Sequence, residues 1–365
     1  MSERAASAAR PRSRWLPSDW SGYRRATLGV APLAVVVILI GVLFEAFGEV
    51  AQVRVASLFM IHLMVVLGLQ SFMGNSKVAN LGHVSFMGIS AYVVAVLTMP
   101  GPIKAVTIPD APFGLATFSM DVIPAAIVAV VVGTLFALIT GLLLTRQSGI
   151  AATIATLAWL VIVHVVINNW TDLTRGARAL YGIPISANLI TLSLIAAAMV
   201  VVARLFRDSK AGIQLRASGD DLLAASAMGV NVQRLRLRAW VLSGCLCSIA
   251  GVMFSLFLGS ISPKSFYFDL TFLTLAMLIL GGMQSISGAV LGTIVVTVGF
   301  EFMRWLESAP TIFGTELPRL PGLTGFFLGA IIVLFMALRP GGLVGDDEFD
   351  ELLLRRVRNR GQGTG

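Results

Sequence analysis

Long stretches without a charged residue dominate the amino-acid sequence, and each contains at least 19 residues. The hydrocarbon core of a bilayer is crossed by roughly 20 residues of α-helix. Each stretch is therefore predicted to form a transmembrane helix, which makes the protein an all-α, polytopic integral membrane protein. The nine stretches are 26–44, 55–76, 78–103, 122–145, 147–171, 179–203, 239–263, 270–300 and 320–338.

The longest stretch, 270–300, is too long for one crossing. As a single helix it would span about 46 Å at 1.5 Å per residue, whereas the hydrocarbon core is about 30 Å thick. We expect the helix to break between Gly281-Gly282 and Gly288. Two crossings there give about ten in total, and a re-entrant element is the alternative.

Composition points to a membrane protein rather than a soluble domain. The chain is 56% hydrophobic and 13% charged, whereas soluble domains are about 25% charged. A charge at the membrane centre costs about 2.5–3.5 kcal/mol on insertion scales. Nine uncharged stretches in one chain are therefore typical of a protein that spans a bilayer many times.

The positions of the positive charges predict the orientation in the membrane. Cytoplasmic segments carry an excess of Lys and Arg, so both tails are predicted to be cytoplasmic, as in a bacterial inner-membrane protein. The same placement explains the net charge of +8 without nucleic acid. Most of the 27 Lys and Arg residues lie in the tail 1–26, at Lys77 and Arg146, in 204–238 and from Arg339 onward.

These charges divide the chain into three parts. Residues 1–26 are predicted to form a basic cytoplasmic tail, 27–340 a transmembrane domain, and 341–365 a cytoplasmic tail. The loops predicted to be periplasmic lie near residues 100–120, 170–187, 260–268 and 306–321.

The longest internal cytoplasmic segment, 211–236, contains a short amphipathic pattern. Ser218 or Asp220 is predicted to cap a short helix that ends at Gly229. Such a helix suits docking against a partner protein, and a helix lying in the lipid headgroups is the alternative. Its apolar side comprises Leu222, Leu223, Ala225, Ala227 and Met228.

Five landmarks follow one another between residues 60 and 340. They are residues 81–83 with Phe86, Gly88, Ala91 and Tyr92; the run 149–157; Thr174, Gly176, Gly182, Ile183 and Pro184; the run 224–232 with Arg236, Trp240, Ser243, Ala250 and Gly251; and Gly281, Gly282 and Gly288. In these landmarks the sequence resembles the LivM-type permease subunits of branched-chain amino-acid ABC transporters. Five landmarks in order are more specific than any one alone.

This resemblance implies a type II ABC importer-like permease that carries branched-chain amino acids or similar small polar solutes, with urea and short amides as alternatives. It implies that the chain lies in the lipid bilayer and has four partner subunits. These are a second, LivH-like permease, two cytoplasmic ATPase subunits and a periplasmic solute-binding protein. This sequence has no G-x-x-x-x-G-K-[ST] loop, so ATP is expected on the partners. The residues implied in ATPase coupling are Asp221, Leu222, Leu223, Ala225, Met228, Gly229 and Asn231.

Two residues depart from the family pattern. Ser226 stands where the family usually has a glutamate, which removes one polar group that could contact the ATPase. Arg175 stands in the loop 170–187 where a glycine is common. The second departure leaves the role of this loop open.

Polar residues within the apolar stretches are candidates for the translocation path. His164 and Asn168 are four residues apart and share a helix face, with Asn169 beside them. Polar groups in hydrocarbon are costly and tend to face an interior cavity. Hydrogen bonding between helices, worth less than about 1 kcal/mol on average, is the alternative. His83 is a further candidate, although it begins a glycine-rich segment, 82–88, for which close helix packing is the usual explanation.

The sequence disfavours an enzyme, because it contains no H-E-x-x-H, no G-x-S-x-G and no acidic pair within the membrane core. No cofactor or metal site is predicted, and Cys245 and Cys247 are expected to be packing residues. Glu301 and Arg304 are expected to pair at a helix end. An ion-coupled secondary transporter is the alternative function, since broken helices and buried polar residues are typical of that class too.

Overall fold

The computed structural model of the protein describes residues 20–308 continuously, together with residues 341–345, residue 348 and scattered positions between 311 and 333. Most of the predicted tails 1–26 and 341–365 lies outside these residues. The described chain is almost entirely helical, which confirms the all-α polytopic class. Its elements are α1 (Trp20–Phe47), α2 (Val50–Ser76), α3 (His83–Thr98), α4 (Gly101–Thr107), α5 (Val122–Leu144), α6 (Gly149–Asn169), α7 (Thr171–Thr174), β1 (Leu180–Tyr181), α8 (Leu189–Asp208), α9 (Lys210–Asp220), α10 (Leu222–Ala227), α11 (Val232–Leu258), β2 (Ser260–Ile261), a 3₁₀ turn (Pro263–Phe266), α12 (Phe268–Gly281), α13 (Ile286–Glu307), β3 (Thr311–Ile312) and β4 (Thr315–Glu316).

Eight helices in the described residues are long and apolar enough to cross a membrane. They are α1, α2, α5, α6, α8, α11, α13, and α12 together with the 3₁₀ turn that precedes it. Helices α3 and α4 form a ninth candidate, with a bend of 120° between them. Nine of the ten predicted crossings therefore correspond to helices of the structure.

The tenth predicted crossing, 320–338, lies mostly outside the described residues, but one contact near its start and one just after its end are described. The Gly322 N–H donates to the Glu307 carboxylate at the last residue of α13, over 2.6 Å. The Leu343 N–H donates to the Leu280 carbonyl in the last turn of α12, over 2.9 Å.

The break within 270–300 lies where the glycines predict it. Helix α12 ends at Gly281 and α13 begins at Ile286. A Cβ atom on Gly281 would lie 1.9 Å from the carbonyl oxygen of Gly288, and one on Gly292 would lie 1.9 Å from that of Met277. Only glycine permits this approach, so α12 and α13 pack as a close antiparallel pair.

In two of the predicted crossings the helix is shorter than the uncharged stretch, because proline ends or delays it. In the stretch 78–103, helix α3 stops at Thr98 and the bend to α4 follows at Pro100, since the residue before a proline is disfavoured in helix. In the stretch 179–203, helix α8 begins only at Leu189. The residues before it, around Pro184, form β1 and an irregular loop instead.

Three of the four loops predicted to be periplasmic, 100–120, 170–187 and 260–268, lie together at one end of the bundle, which we call the loop end. Strands β1 and β2 pair antiparallel with Leu180 opposite Ile261, and this joins the loop 170–187 to the loop 260–268. A Cβ atom on Gly182 would lie 2.6 Å from the Ile103 side chain, so α4 also adjoins them.

The positively charged segments meet at the other end, which we call the basic end. Lys77, just after α2, forms an ion pair with Asp220 at the end of α9. The Arg236 guanidinium donates to the Gln147 carbonyl over 3.2 Å, so the turn at Arg146 adjoins the start of α11. These contacts place the basic turns on one side, as the charge count predicts.

Helix α11 lies at the centre of the bundle and contacts α2, α3 and α5. Its glycines allow close approach: a Cβ atom on Gly251 would lie 2.1 Å from the Met87 carbonyl oxygen of α3. Cys247 is a buried free thiol facing Gly68 of α2, and Cys245 is half-buried. Both cysteines occupy packing positions, as predicted.

We expect Gly292→Ala to destabilise the protein, because the added methyl group would overlap the Met277 carbonyl and overpacking costs about 1–3 kcal/mol. The measurement is the thermal unfolding temperature of the purified protein in detergent. Gly101→Ala is the control, since no atom lies within 4 Å of a Cβ added there. Equal unfolding temperatures for the two variants would contradict the close contact of α12 with α13.

Candidate functional site

Helix α9 fixes the predicted coupling segment to the basic end of the bundle. The Ser209 hydroxyl caps the start of α9 by accepting a backbone N–H of the first turn over 3.2 Å. The Arg216 guanidinium donates to the Asn75 side chain in the last turn of α2 over 2.9 Å. Together with the ion pair between Lys77 and Asp220, this contact ties α9 to α2 at two points.

The predicted amphipathic helix is α10, and Asp221 caps it. One Asp221 carboxylate oxygen accepts two backbone N–H groups of the first turn, each over 2.9 Å. The prediction that Ser218 or Asp220 is the cap is wrong. The Ser218 hydroxyl donates to a carbonyl within α9, and Asp220 pairs with Lys77. A carboxylate at this position also interacts favourably with the helix dipole.

Gly229 and Asn231 turn the chain from α10 into α11. Gly229 has φ +78°, a conformation that is favourable mainly for glycine. The Asn231 side chain accepts the Arg234 N–H over 3.1 Å and so caps α11. Gly229 and Asn231, two of the residues predicted to couple to the ATPase, therefore shape this turn through contacts within the chain.

The apolar side chains of α10 face away from the bundle, and no residue of this helix is buried. Leu223 and Met228 are each 83% exposed and Leu222 is 41% exposed, while Ala225 is half-buried. Burying a side chain of this size contributes roughly 1.5–3 kcal/mol. Exposed apolar patches are typical of interaction sites. We call Leu222, Leu223 and Met228 the docking surface.

The two residues that depart from the family pattern have local partners. The Ser226 hydroxyl donates to the Leu222 carbonyl over 2.8 Å, so it is directed at its own helix. Arg175 has φ +68°, which explains why glycine is common there. Its guanidinium lies 4.6 Å from the ring centre of Tyr181 and donates to the Ala179 carbonyl over 2.9 Å. These contacts hold Arg175 in the left-handed conformation.

His83 lies inside the bundle at the start of α3. Its side chain is fully buried, and its Nε2 lies 2.9 Å from the Thr274 hydroxyl of α12. The turn before it is held against α6, because the Leu81 N–H donates to the Thr156 hydroxyl over 3.2 Å. His83 therefore joins α3 to α12 near the basic end.

His164 and Asn168 are both half-buried on one side of α6, as the spacing predicts. The His164 ring stacks on the ring of Tyr267, with centres 3.8 Å apart. Asn169 is exposed, and its amide donates to the Val165 carbonyl of its own helix over 2.8 Å.

The structure does not bring His83 together with the other three candidates. Thr156 of α6 lies beside the turn that leads to His83. His164 follows Thr156 by eight residues, which is about 12 Å along a helix. The four candidates therefore occupy two levels of the bundle, and any solute path that they line would run between those levels.

A buried charged cluster at the basic end is missed by the sequence analysis. Glu348 is fully buried and pairs with Arg204 and Arg207 of α8, over 3.1 Å and 3.2 Å. Burial alone would raise the pKa of the Glu348 carboxyl, but the two guanidinium charges and hydrogen bonds from Ser287 and Ile286 outweigh it and lower the pKa. The one signal in the sequence is the three-residue spacing of Arg204 and Arg207, which puts both on one side of a helix.

A family of known transporters matches most of the chain. The family described as "Branched-chain amino acid transport system / permease component" matches residues 51–336. This range runs from α2 through α13 and contains the docking surface. The chain belongs to this family. It is a multi-pass membrane permease of the LivM type, and such permeases of ABC importers are not themselves enzymes.

Three relatives illustrate the range of similarity. The high-affinity branched-chain amino acid transport system permease protein LivM of Escherichia coli K12 is 27% identical over 327 residues, which cover 80% of this chain and 69% of LivM. The autoinducer 2 import system permease protein LsrC of Escherichia coli is 25% identical over 240 residues, 62% of this chain and 66% of LsrC. The probable branched-chain amino acid transport permease protein LivH of Methanocaldococcus jannaschii is 33% identical over 142 residues, 38% of this chain and 42% of LivH. No solved structure matches the chain.

We expect His164→Ala combined with Asn168→Ala to slow solute uptake at unchanged membrane levels of the protein. The reason is that both polar groups share one face of α6, and this is the face predicted to line the solute path. Uptake is measured in cells that carry the complete transporter. A second variant, His164→Phe with Asn168→Ala, keeps an aromatic ring on Tyr267 and should be equally slow. Full uptake by the second variant would assign His164 to packing alone.

Proposed function

We propose that this chain is one of two permease subunits of an ATP-driven importer in the bacterial inner membrane. The transporter would carry branched-chain amino acids, or similar small polar solutes, into the cytoplasm. The proposal is supported by the family to which the chain belongs. The single structural observation that carries it is the exposed apolar docking surface at the basic end of the bundle.

The charges around the docking surface favour a protein partner over lipid headgroups. Helices that lie in the headgroup region are rich in Lys and Arg on their polar face. Helix α10 contains neither, and the residues at its start, Asp220 and Asp221, are acidic. Asp220 is already paired with Lys77, so Asp221 is the carboxylate that anionic lipids would repel. An apolar pocket on a cytoplasmic ATPase subunit is therefore the occupant that we propose for the docking surface.

The exposed faces of α6 and α5 are proposed to contact the second permease subunit. Helix α6 is buried along one narrow stripe, and the other side exposes large apolar residues such as Ile154 and Ile162. The chain is also similar to LivH, which is named as a branched-chain amino acid permease distinct from LivM. This similarity supports an assembly of two permeases. His164 and Asn168 lie on the same helix, and we propose that they line the solute path with His83 and Asn169.

The mechanism follows from how α10 is attached. ATP binding and release on the partner subunits would move the docking surface. Because α9 is bonded to α2 and the turn after α10 is capped onto α11, the movement reaches two central helices rather than a free loop. The bundle would then shift between two packings. ATP can bias these packings only through its differential affinity for the two states.

The solute is the finer part of the proposal. LivM of Escherichia coli is named for branched-chain amino acids, whereas LsrC is named for autoinducer 2. Similarity to the first is greater and covers more of the chain, so we propose leucine, isoleucine or valine. A periplasmic solute-binding protein would select the solute before it reaches the permease. Urea and short amides are the alternatives.

Replacing Leu222, Leu223 and Met228 by Asp should abolish co-purification of the ATPase subunits, because three charges would enter the apolar contact. The assay compares the amount of ATPase recovered with the tagged permease in wild type and variant. Ile185→Asp is the matched control, since Ile185 is an equally apolar residue, 71% exposed, in the loop 170–187 at the loop end. Unchanged ATPase recovery in the triple variant would remove the case for the docking surface.

Leucine, isoleucine or valine should stimulate ATP hydrolysis by the transporter reconstituted in vesicles with its binding protein. The physical reason is that loaded binding protein favours one of the two packings of the bundle. Urea and acetamide are the comparison solutes. Stimulation by these compounds and not by the three amino acids would contradict the proposed substrate while leaving the importer itself intact.

A further inference from the structure

The described residues of the C-terminal segment, 341–345 and 348, cap two helix ends, the first of which is the end of α12. The last carbonyl groups of a helix have no partner within the helix. The Leu343 N–H donates to the Leu280 carbonyl over 2.9 Å, and the Val344 N–H donates to the Gly281 carbonyl over 3.1 Å. These bonds attach the segment to the break between α12 and α13.

The same segment caps the start of α13 through Glu348. The carboxylate accepts the N–H groups of Ile286 and Ser287 over 2.8 Å and 3.0 Å, and the Ser287 hydroxyl over 2.5 Å. The first N–H groups of a helix carry a partial positive charge that favours an anion. One short segment therefore satisfies both helix ends at the α12–α13 break.

The other side of the Glu348 carboxylate faces the last turns of α8. Arg204 Nη1 lies 3.1 Å and Arg207 Nε 3.2 Å from its oxygens. Arg207 Nε also donates to the Gln284 carbonyl in the α12–α13 break, over 2.8 Å. We call Glu348, Arg204, Arg207 and Ser287 the clasp. It joins α8 to the start of α13, two helices that are far apart in the sequence.

The clasp continues into the segment that carries the docking surface. Helix α8 ends at Asp208, and α9 begins two residues later at Lys210. The Arg216 guanidinium of α9 donates to the Arg207 carbonyl over 2.6 Å and to the Asn75 side chain over 2.9 Å. A continuous series of bonds thus leads from Glu348 through Arg207 and Arg216 to α9 and α2.

We propose that Glu348 is a positioning residue for energy coupling: the clasp makes the α12–α13 pair move with the α8–α9 junction when the docking surface is displaced. This inference rests on the proposed function. Without the Glu348 charge, α9 would still be bonded to α2 and Arg207 would still donate to the Gln284 carbonyl, but the start of α13 would lose its ion pairs with α8. ATP hydrolysis would then continue while less solute crosses for each ATP.

Stability alone is a weak explanation for this arrangement. A buried ion pair is often no more stabilising than apolar side chains of similar volume. Its directional bonds do, however, fix the relative position of the groups that they join. The clasp joins the break of the α12–α13 pair to the element that precedes the docking segment, and nothing else among the described residues bonds these two places through side-chain charges.

The test uses the complete reconstituted transporter with Glu348→Gln, which keeps the shape of the side chain and removes its charge. Three quantities are measured: ATPase recovered with the permease, the rate of ATP hydrolysis, and solute transported per ATP. We expect ATPase recovery to be unchanged and transport per ATP to fall at least about fivefold, the lower end of typical coupling between sites. Glu301→Gln is the matched control, because Glu301 forms an exposed pair with Arg304, over 3.0 Å, as predicted from the sequence.

A transport-to-ATP ratio equal to that of the wild type would overturn the proposal. Loss of ATPase recovery in Glu348→Gln would overturn it too, since the residue would then only support docking. If Glu348→Gln does not reach the membrane, Ser287→Ala decides, because it removes a single hydrogen bond. A lowered ratio in Ser287→Ala supports the clasp, and an unchanged ratio overturns it. Failure of the wild-type chain to recover ATPase would instead reject the proposed function.

Discussion

Every backbone N–H and C=O within a bilayer must find a partner in the protein, because the hydrocarbon core contains no water. Helices satisfy this requirement along their length but not at their ends. The structure supplies the missing partners from other parts of the chain. The Thr156 hydroxyl of α6 accepts the Leu81 N–H before α3 over 3.2 Å, and Glu348 and Leu343 serve the α12–α13 break. The places where helices end are therefore the places where distant segments are joined.

The same constraint explains the role of the glycines. Lipid tails are as apolar as leucine, so helices in a membrane associate through close packing rather than through the hydrophobic effect. Gly281, Gly288 and Gly292 bring the backbones of α12 and α13 into contact, and Gly251 does so for α11 and α3. The longest apolar stretch becomes two helices at Gly282, whose φ of +119° is unsuited to a helix, and the two halves then pack closely through their glycines.

The helices are well predicted from the sequence, because the length of each uncharged stretch matches the bilayer thickness and the Lys and Arg residues lie mostly at the ends predicted to be cytoplasmic. The sequence also places the break at Gly281 and the basic turns at one end. Helix bounds are less predictable, since Pro100 and Pro184 act locally within uncharged stretches. The prediction for the cap of α10 is wrong because Ser218, Asp220 and Asp221 are all good caps in isolation. Tertiary and local contacts decide among them, since Asp220 pairs with Lys77 and Ser218 bonds within α9, which leaves Asp221.

The charged cluster could not be predicted, because its partners are separated by more than a hundred residues. Glu348 follows Arg207 by such a distance that no local pattern connects them, and each alone resembles an ordinary cytoplasmic charge. The shared face of His164 and Asn168 could be predicted, because the two residues are four apart on one helix and this local spacing is kept in the structure.

The attachment of the docking surface limits what a motor can do with it. Helix α10 has only six residues, with α9 held to α2 on one side and α11 capped by Asn231 on the other. A force on so short a helix is passed on to its neighbours, since there is little chain to absorb it. Helix α11 contacts α2, α3 and α5, whereas α6 is packed along one narrow stripe. We therefore expect the tightly packed group to move as a unit, with α6 as the helix against which it shifts.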